Sequence, residues 1–229
     1  MVPGLNVLES LPARKPLGQI VYEKLKQAVV KGALESGSRI IESQVAESLS
    51  ISRTPVREAM HKLEREGLLR QSPTGGYFVV GLSRMDIEET FGIRSVLESY
   101  AARLAAIKHR KEELMPLQNK ISEYQECLER EQIEDLPRIN TEFHDLLYGL
   151  SYSPRLIKMI NDLKDYIYRY REVILKIEDM AMKSNEDHRR MLALIKIRDA
   201  DGVERIVREH ILRGQEVVLR QFDNQQMVK

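Results

Sequence analysis

The sequence predicts a mostly α-helical protein in two parts. Residues 1–81 read as a small three-helix unit closed by a β-ribbon, and residues 82–229 as an all-α antiparallel helical bundle. Three observations carry this. Only 12 Gly, 8 Pro and 6% aromatics in 229 residues favour helix over sheet. Apolar residues recur at helical spacing along nearly the whole chain. The clear strand-like stretch, residues 75–82, has β-branched and aromatic residues following two glycines and stands at the boundary between the parts. Charge divides at the same place. The chain carries 36 Lys and Arg against 35 Asp and Glu, a formal +1. Residues 1–81 hold 11 basic and 8 acidic residues, and the remainder 25 and 27. A uniformly basic protein is excluded, but the first part carries +3 and is the half in which to seek a polyanion site.

In the first part, Gln19 to Lys31 has Ile20, Val21, Leu25, Ala28 and Val29 at helical spacing, and Gly32 stops the helix. A second helix over Glu42 to Leu49 gathers Val45, Ala46 and Leu49 on one side. Ser50, Ile51 and Ser52 make a tight turn. A third helix starts at Ser52 to Thr54, whose hydroxyls offer N-caps, and Pro55 suits its first turn. It runs to Glu66, ends at Gly67, and turns Val56, Ala59, Met60 and Leu63 inward. Leu68 to Arg70 and Tyr77 to Val80 can pair as a ribbon. These elements in this order make a winged helix-turn-helix, in which the helix after the turn enters the DNA major groove. Ser52, Arg53, Thr54 and Arg57 stand at its N-terminal end, and His61 continues the face. Arginine can donate bidentately to guanine or clamp a phosphate. The same spacing also describes a solvated basic helix face. Gly76 marks the wing tip.

The run Ser52-Arg53-Thr54-Pro55-Val56-Arg57-Glu58-Ala59, then Leu63-Glu64-Arg65-Glu66-Gly67-Leu68-Leu69, resembles the recognition-helix signature of GntR-type bacterial transcription regulators. The approach through Tyr22-Glu23-Lys24-Leu25, Gly32-Ala33-Leu34 and Gly37-Ser38-Arg39-Ile40 is similar too. The chain departs from the pattern twice. Ser43 stands where relatives of the fatty-acid regulator carry an Arg early in the second helix. Gly75 stands where many members have a basic residue just before the wing-tip glycine. Fewer phosphate and minor-groove contacts follow, unless Lys62, Arg65 or Arg70 supply them.

In the second part Ser83 caps a helix with Asp86 in the capping-box position. Its broad apolar face comprises Ile87, Phe91, Ile93, Leu97, Tyr100, Ala101, Leu104 and Ala105. Further helices are expected at 110–131, 136–150, 154–178, 185–198 and 200–225. Asp135, Ser153-Pro154 and Ser184 mark three of their starts. Ile93-Arg94-Ser95-Val96-Leu97-Glu98, Asn140-Thr141-Glu142-Phe143-His144, Glu186-Asp187-His188 and Arg208-Glu209-His210-Ile211 resemble the FCD ligand-binding domain of the FadR-type branch of the GntR regulators.

That resemblance implies a divalent transition metal, Zn²⁺, Ni²⁺ or Mn²⁺, held by Asn140, His144, His188 and His210. Metal-binding members have Asp where this chain has Asn140, so one negative charge is missing. Buried, hydrogen-bonded histidines without metal are the alternative. The resemblance also places Arg94 at an effector pocket, to hold a carboxylate. An exposed pair with Glu98 is the other reading. Of Arg169 and Arg171, at most one should join it. The implied partners are a palindromic double-stranded DNA operator with a GT…AC core, a small organic acid and a second copy of the chain. An acyl-CoA sensor and a metal-dependent enzyme remain as alternatives, the latter needing a base such as Glu186 or Asp187. Lone Cys127 excludes an intramolecular disulfide and suits a cytoplasmic protein. No apolar run approaches the roughly 18 residues of a membrane span, and residues 1–16 lack the order of a signal peptide.

Overall fold

A computed structural model describes residues 15–30, 32–80 and 83–227. Most of the leader question at 1–16, Lys31 at the expected end of the first helix, and residues 81–82 of the strand-like stretch lie outside the described residues. The chain divides into two compact units after Gly81.

The first unit runs α1 (Leu17–Val30), β1 (Arg39–Ile40), α2 (Glu42–Ser48), α3 (Arg53–Arg65), β2 (Leu69–Gln71) and β3 (Tyr77–Val79). Val21, Leu25 and Val29 of α1 pack inward with Val56, Ala59, Met60 and Leu63 of α3, all nearly inaccessible, whereas Ile20 and Leu49 stand at the surface. Ser50 takes φ +53° to make the turn. Ser52 has N-cap backbone geometry, but its hydroxyl makes no capping bond, unlike the expectation. At the other end Gly67, at φ +72°, lets Leu68 N–H reach Leu63 O and its own N–H reach Glu64 O, which closes α3.

The ribbon is a three-stranded antiparallel sheet in the order β1-β3-β2. Arg39 pairs with Phe78 and Leu69 with Val79. The two-residue β1 was not expected, since it is too short to show alternation. Gly76, at φ +77°, lies so close to Ile40 that a Cβ there would sit 2.7 Å from its carbonyl oxygen.

The second unit runs α4 (Arg84–Lys108), α5 (Met115–Glu129), α6 (Leu136–Gly149), α7 (Pro154–Asp162), α8 (Lys164–Ile174), α9 (Glu178–Lys196) and α10 (Ala200–Met227). The Ser83–Asp86 capping box forms in both directions. The two longest helices, α4 and α10, form the most extensive helix pair. Ala101, Ala102, Ala105 and Ala106 are wholly buried, and such small side chains let helix backbones approach closely.

The expected face of α4 is corrected in part. Ile87, Phe91, Ala101 and Ala105 are buried, but Ile93 and Tyr100 are 42% and 48% exposed. Arg94, Ser95, Glu98 and Ser99 lie inside instead. The segment 154–178 is two helices, broken at Leu163 without Gly or Pro. The helix expected from 185 begins at Glu178, so Ser184 is a buried interior residue and not a cap. A 3-10 turn, Lys111–Leu114, precedes α5. Asp135 ends another 3-10 turn and binds Arg138 rather than capping α6.

Candidate functional site

Two regions carry the residues singled out by the sequence. On α3, Ser52, Arg53, Thr54, Arg57 and His61 are exposed. Arg57 Nε lies 3.1 Å from a Glu42 carboxylate oxygen of α2. His61 Nδ1 lies 3.2 Å from the Tyr77 hydroxyl, with the rings edge to face, so it ties α3 to the sheet below the wing. Lys62 turns inward, its ammonium 3.7 Å from the centre of the Tyr22 ring, while Arg65 and Arg70 are exposed. The wing tip brings no cation of its own at Gly75. Arg39 of β1 supplies one, donating to the carbonyls of Thr74 (2.9 Å) and Gly75 (2.7 Å).

The second region is buried in the bundle. α6 supplies Asn140 and His144 one turn apart, α9 supplies His188, and α10 supplies His210. Ring centres are 5.1 Å apart for His144 and His188, 5.4 Å for His144 and His210, and 5.6 Å for His188 and His210. One nitrogen from each imidazole falls within 4.8 Å of the others. Burial holds the pKa of His144 and His188 well below the usual histidine value, and nearby Arg171 and His210 act the same way. Burial lowers that of His210 as well, opposed by Asp187. The rings are therefore neutral at pH 7, the form that binds metal. His188 Nδ1 is buried without a hydrogen-bond partner, an unfavourable arrangement that a cation or a polar ligand would relieve. Asn140 Nδ2 donates to Ser184 Oγ at 3.0 Å and faces His188 Nε2 at 3.5 Å. Turning the amide by 180° offers Oδ1 instead, the atom a metal takes. These residues fit a divalent transition metal with one neutral oxygen and three imidazole donors.

Charged groups surround the cluster. Asp187 accepts from His210 Nδ1 (3.1 Å) and from Arg213. Glu98 accepts from Arg94 Nε (2.7 Å) and from the Tyr148 hydroxyl, which also lies 2.9 Å from His144 Nδ1. Burial acts to raise the Glu98 pKa, but Arg94 and Arg171 outweigh it and hold the carboxyl below its usual range. A cavity of about 30 Å³ adjoins, walled by Arg94, Asn140, Arg171, His210 and Arg213 among others. Three guanidiniums thus meet two carboxylates, an excess of one positive charge. The Arg94–Glu98 pair foreseen on an exposed face is present, but buried. Arg171 is buried and turned inward, donating to Thr141 Oγ1 at 2.9 Å. The side chain of Arg169 lies outside the described residues.

The family model for bacterial regulatory proteins of the gntR family matches residues 17–79, and that for the FCD domain matches residues 89–213. The chain belongs to the GntR family. It is a DNA-binding transcription regulator with an FCD domain. Among relatives, the regulator YdhC of Bacillus subtilis is 30% identical over 190 residues, covering 82% of this chain and 85% of its own. The transcriptional repressor RspR of Escherichia coli is 26% identical over 207 residues, covering 90% and 91%. The solved structure of E. coli McbR/YncC superposes with a TM-score of 0.73 at 26% identity, over 91% of this chain and all of that one. Among the described residues, the candidate bases near the histidines are all engaged. Glu142 binds Lys120, Glu186 binds Lys183, and Asp187 is held by His210 and Arg213.

Glu98 and Tyr148 escaped the sequence reading as members of the centre, and so did Arg213. A signal was present for the first two. Asn140, His144 and Tyr148 recur every four residues on one helix face, as do Arg94 and Glu98. Among the described residues, no helix is long and apolar enough to cross a membrane.

Proposed function

We propose that this GntR regulator acts as a homodimer whose operator affinity is set by a small organic acid bound beside a metal in the bundle. Each protomer lays α3 in a major groove of a palindromic duplex with a GT…AC core. Ser52, Arg53, Thr54 and Arg57 meet bases and phosphates, His61 lies one turn further along, and the wing at Gly76 meets the flanking backbone. Zn²⁺, Ni²⁺ or Mn²⁺ is held by Asn140, His144, His188 and His210, and Arg94 and Arg171 draw in the carboxylate. The acid shifts the population between arrangements of the two reading units, by as much as its affinities for them differ.

The observation that carries the reading is the meeting of three imidazoles, Asn140 and an excess of guanidinium charge around one cavity. Dimerisation draws support from α4, where Ile93, Val96, Tyr100 and Ile107 form an exposed apolar stripe at helical spacing. The acyl-CoA alternative fares worse, because a tunnel for a long apolar chain has no need of three imidazoles and three guanidiniums. Against the enzyme alternative, the candidate bases Glu186 and Asp187 are paired, with Lys183 and with His210 and Arg213. The reading puts the protein in the cytoplasm with its DNA.

The test is a thermal-shift screen of small mono-, di- and tricarboxylates, each with and without Zn²⁺, Ni²⁺ and Mn²⁺, followed by operator affinity. One acid should stabilise the metal-loaded protein and change DNA binding. If no carboxylate alters either quantity, the reading fails. Turnover of a stabilising acid would favour the enzyme.

A further inference from the structure

We infer that Glu98 and Tyr148 are the positioning pair of the histidine centre, fixing His144 as the tautomer that offers Nε2 to a metal. The inference rests on the metal reading for its purpose, though not for its chemistry. A neutral imidazole carries its proton on one nitrogen and binds metal through the other. Which nitrogen is bare is set by the hydrogen bond that the opposite one makes.

The bond to His144 Nδ1 comes from the Tyr148 hydroxyl, at 2.9 Å. That hydroxyl has one proton and two neighbours. Its other neighbour is a Glu98 carboxylate oxygen at 2.5 Å. Glu98 is 0% exposed, and its second oxygen takes the Arg94 Nε–H at 2.7 Å, which keeps the group ionised. An ionised carboxylate only accepts. If the phenol proton pointed at His144 instead, the phenol oxygen would press its lone pairs against the Glu98 anion at contact distance. The proton therefore goes to Glu98. The phenol oxygen is left to accept, and His144 Nδ1 must donate to it. The remaining nitrogen, Nε2, is bare.

The sequence of donations runs His144 to Tyr148 to Glu98, and Arg94 closes it from the far side. It draws on α4 and α6 alone. Asp187 serves His210 by the simpler direct route, accepting from its Nδ1 at 3.1 Å. Two of the three imidazoles are thus oriented by a carboxylate, one of them through a tyrosine. Tyr148 fits this role and no other evident one, since it is 3% exposed and its hydroxyl is spent between these two groups.

The experiment has two readouts. Long-range ¹H–¹⁵N spectra of the full-length apo-protein, labelled at histidine, report which nitrogen is protonated, and the His144→Gln spectrum assigns the signal. The wild type should show His144 protonated at Nδ1, and Tyr148→Phe should lose that preference. Titration with Zn²⁺, Ni²⁺ and Mn²⁺ should show affinity falling about 10–100-fold in Tyr148→Phe, with an unchanged circular dichroism spectrum. Glu98→Gln should also lose affinity, because a neutral amide no longer dictates the phenol proton. Protonation at Nε2 in the wild type overturns the inference without need of any variant. So does wild-type metal affinity in both variants. If the wild type binds none of the three metals, the metal reading falls, and the tautomer alone decides the positioning claim.

Discussion

Removing Glu42 should tighten DNA binding, although the residue lies outside the recognition helix. Arg57 is held by Glu42 at 3.1 Å, with side chains 58% and 23% exposed. At that distance the bare attraction in water is about 1.3 kcal/mol. Entropy and screening cut such half-exposed pairs to a net of about 0.2–1 kcal/mol. DNA must displace Glu42 before Arg57 can reach a base or phosphate, so the pair is a tax on binding of that size. Glu42→Gln should therefore improve operator affinity by about 1.4- to 5-fold. Arg57→Ala should weaken it by about 1–3 kcal/mol if the guanidinium reads a base. In the double variant most of the Glu42→Gln gain should vanish, because no arginine is left to release. The assay is fluorescence anisotropy at fixed salt, using a duplex enriched from random DNA by the wild type. Weaker binding by Glu42→Gln would show that the carboxylate instead holds Arg57 in its reading pose. Wild-type affinity in both Arg53→Ala and Arg57→Ala would remove α3 from the groove altogether.

Four further outcomes are expected. Gly76→Ala should cost at least about 1–2 kcal/mol from the left-handed backbone alone, with more from the Ile40 carbonyl 2.7 Å from the new Cβ; an unchanged urea midpoint would contradict this. His188→Ala should lose bound metal, and metal content equal to wild type would break the ligand set. The apo-protein should weaken in acid. His144 and His188 resist protonation when folded but take up protons when unfolded, below the ordinary value of 6.5. Their contribution is therefore full above that pH and fades below it, by up to about 1.4 kcal/mol per pH unit for each residue. Urea unfolding at pH 7.5 and 5.5 measures the slope, and a stability that rises toward acid would reverse the argument. Val96→Asp should place a charge in the apolar stripe of α4 and shift the protein to monomers in light scattering; a dimer of undiminished affinity would locate the interface elsewhere.

The recognition unit was legible because each local signal points the same way. Gly67 is where α3 must turn, Pro55 is where it starts, and Val56, Ala59, Met60 and Leu63 keep strict helical period. The bundle was less so. On α4 the period of Ile93 and Tyr100 is that of a core face, yet the face that enters the core carries Arg94, Ser95, Glu98 and Ser99. Pattern reasoning assigns such polar residues to solvent unless partners are known. The break at Leu163 has no Gly or Pro to announce it, and β1 is shorter than any period. At the centre, the imidazoles were visible through the family resemblance. Their orienting groups were not, because Glu98 meets Tyr148 across fifty residues of chain. The inward turn of Arg171 was one of two choices that spacing left open.

The four alanines of α4 bear on which positions around the cavity tolerate change. Where they stand, side chains are fully enclosed, and each added methylene group would strain the packing of α4 on its neighbours at a cost of about 1–3 kcal/mol. The wall that carries Arg94 and His210 belongs to α4 and α10, the most extensively packed helix pair. Gly214 on that wall is similarly confined, since a Cβ there would stand 3.0 Å from Ile174. Ile174, Leu175 and Met180 belong to the opposite wall, around the end of α8 and the start of α9. On the proposed reading, a library aimed at a larger or smaller acid should vary those three positions and leave the buried alanines of α4 intact.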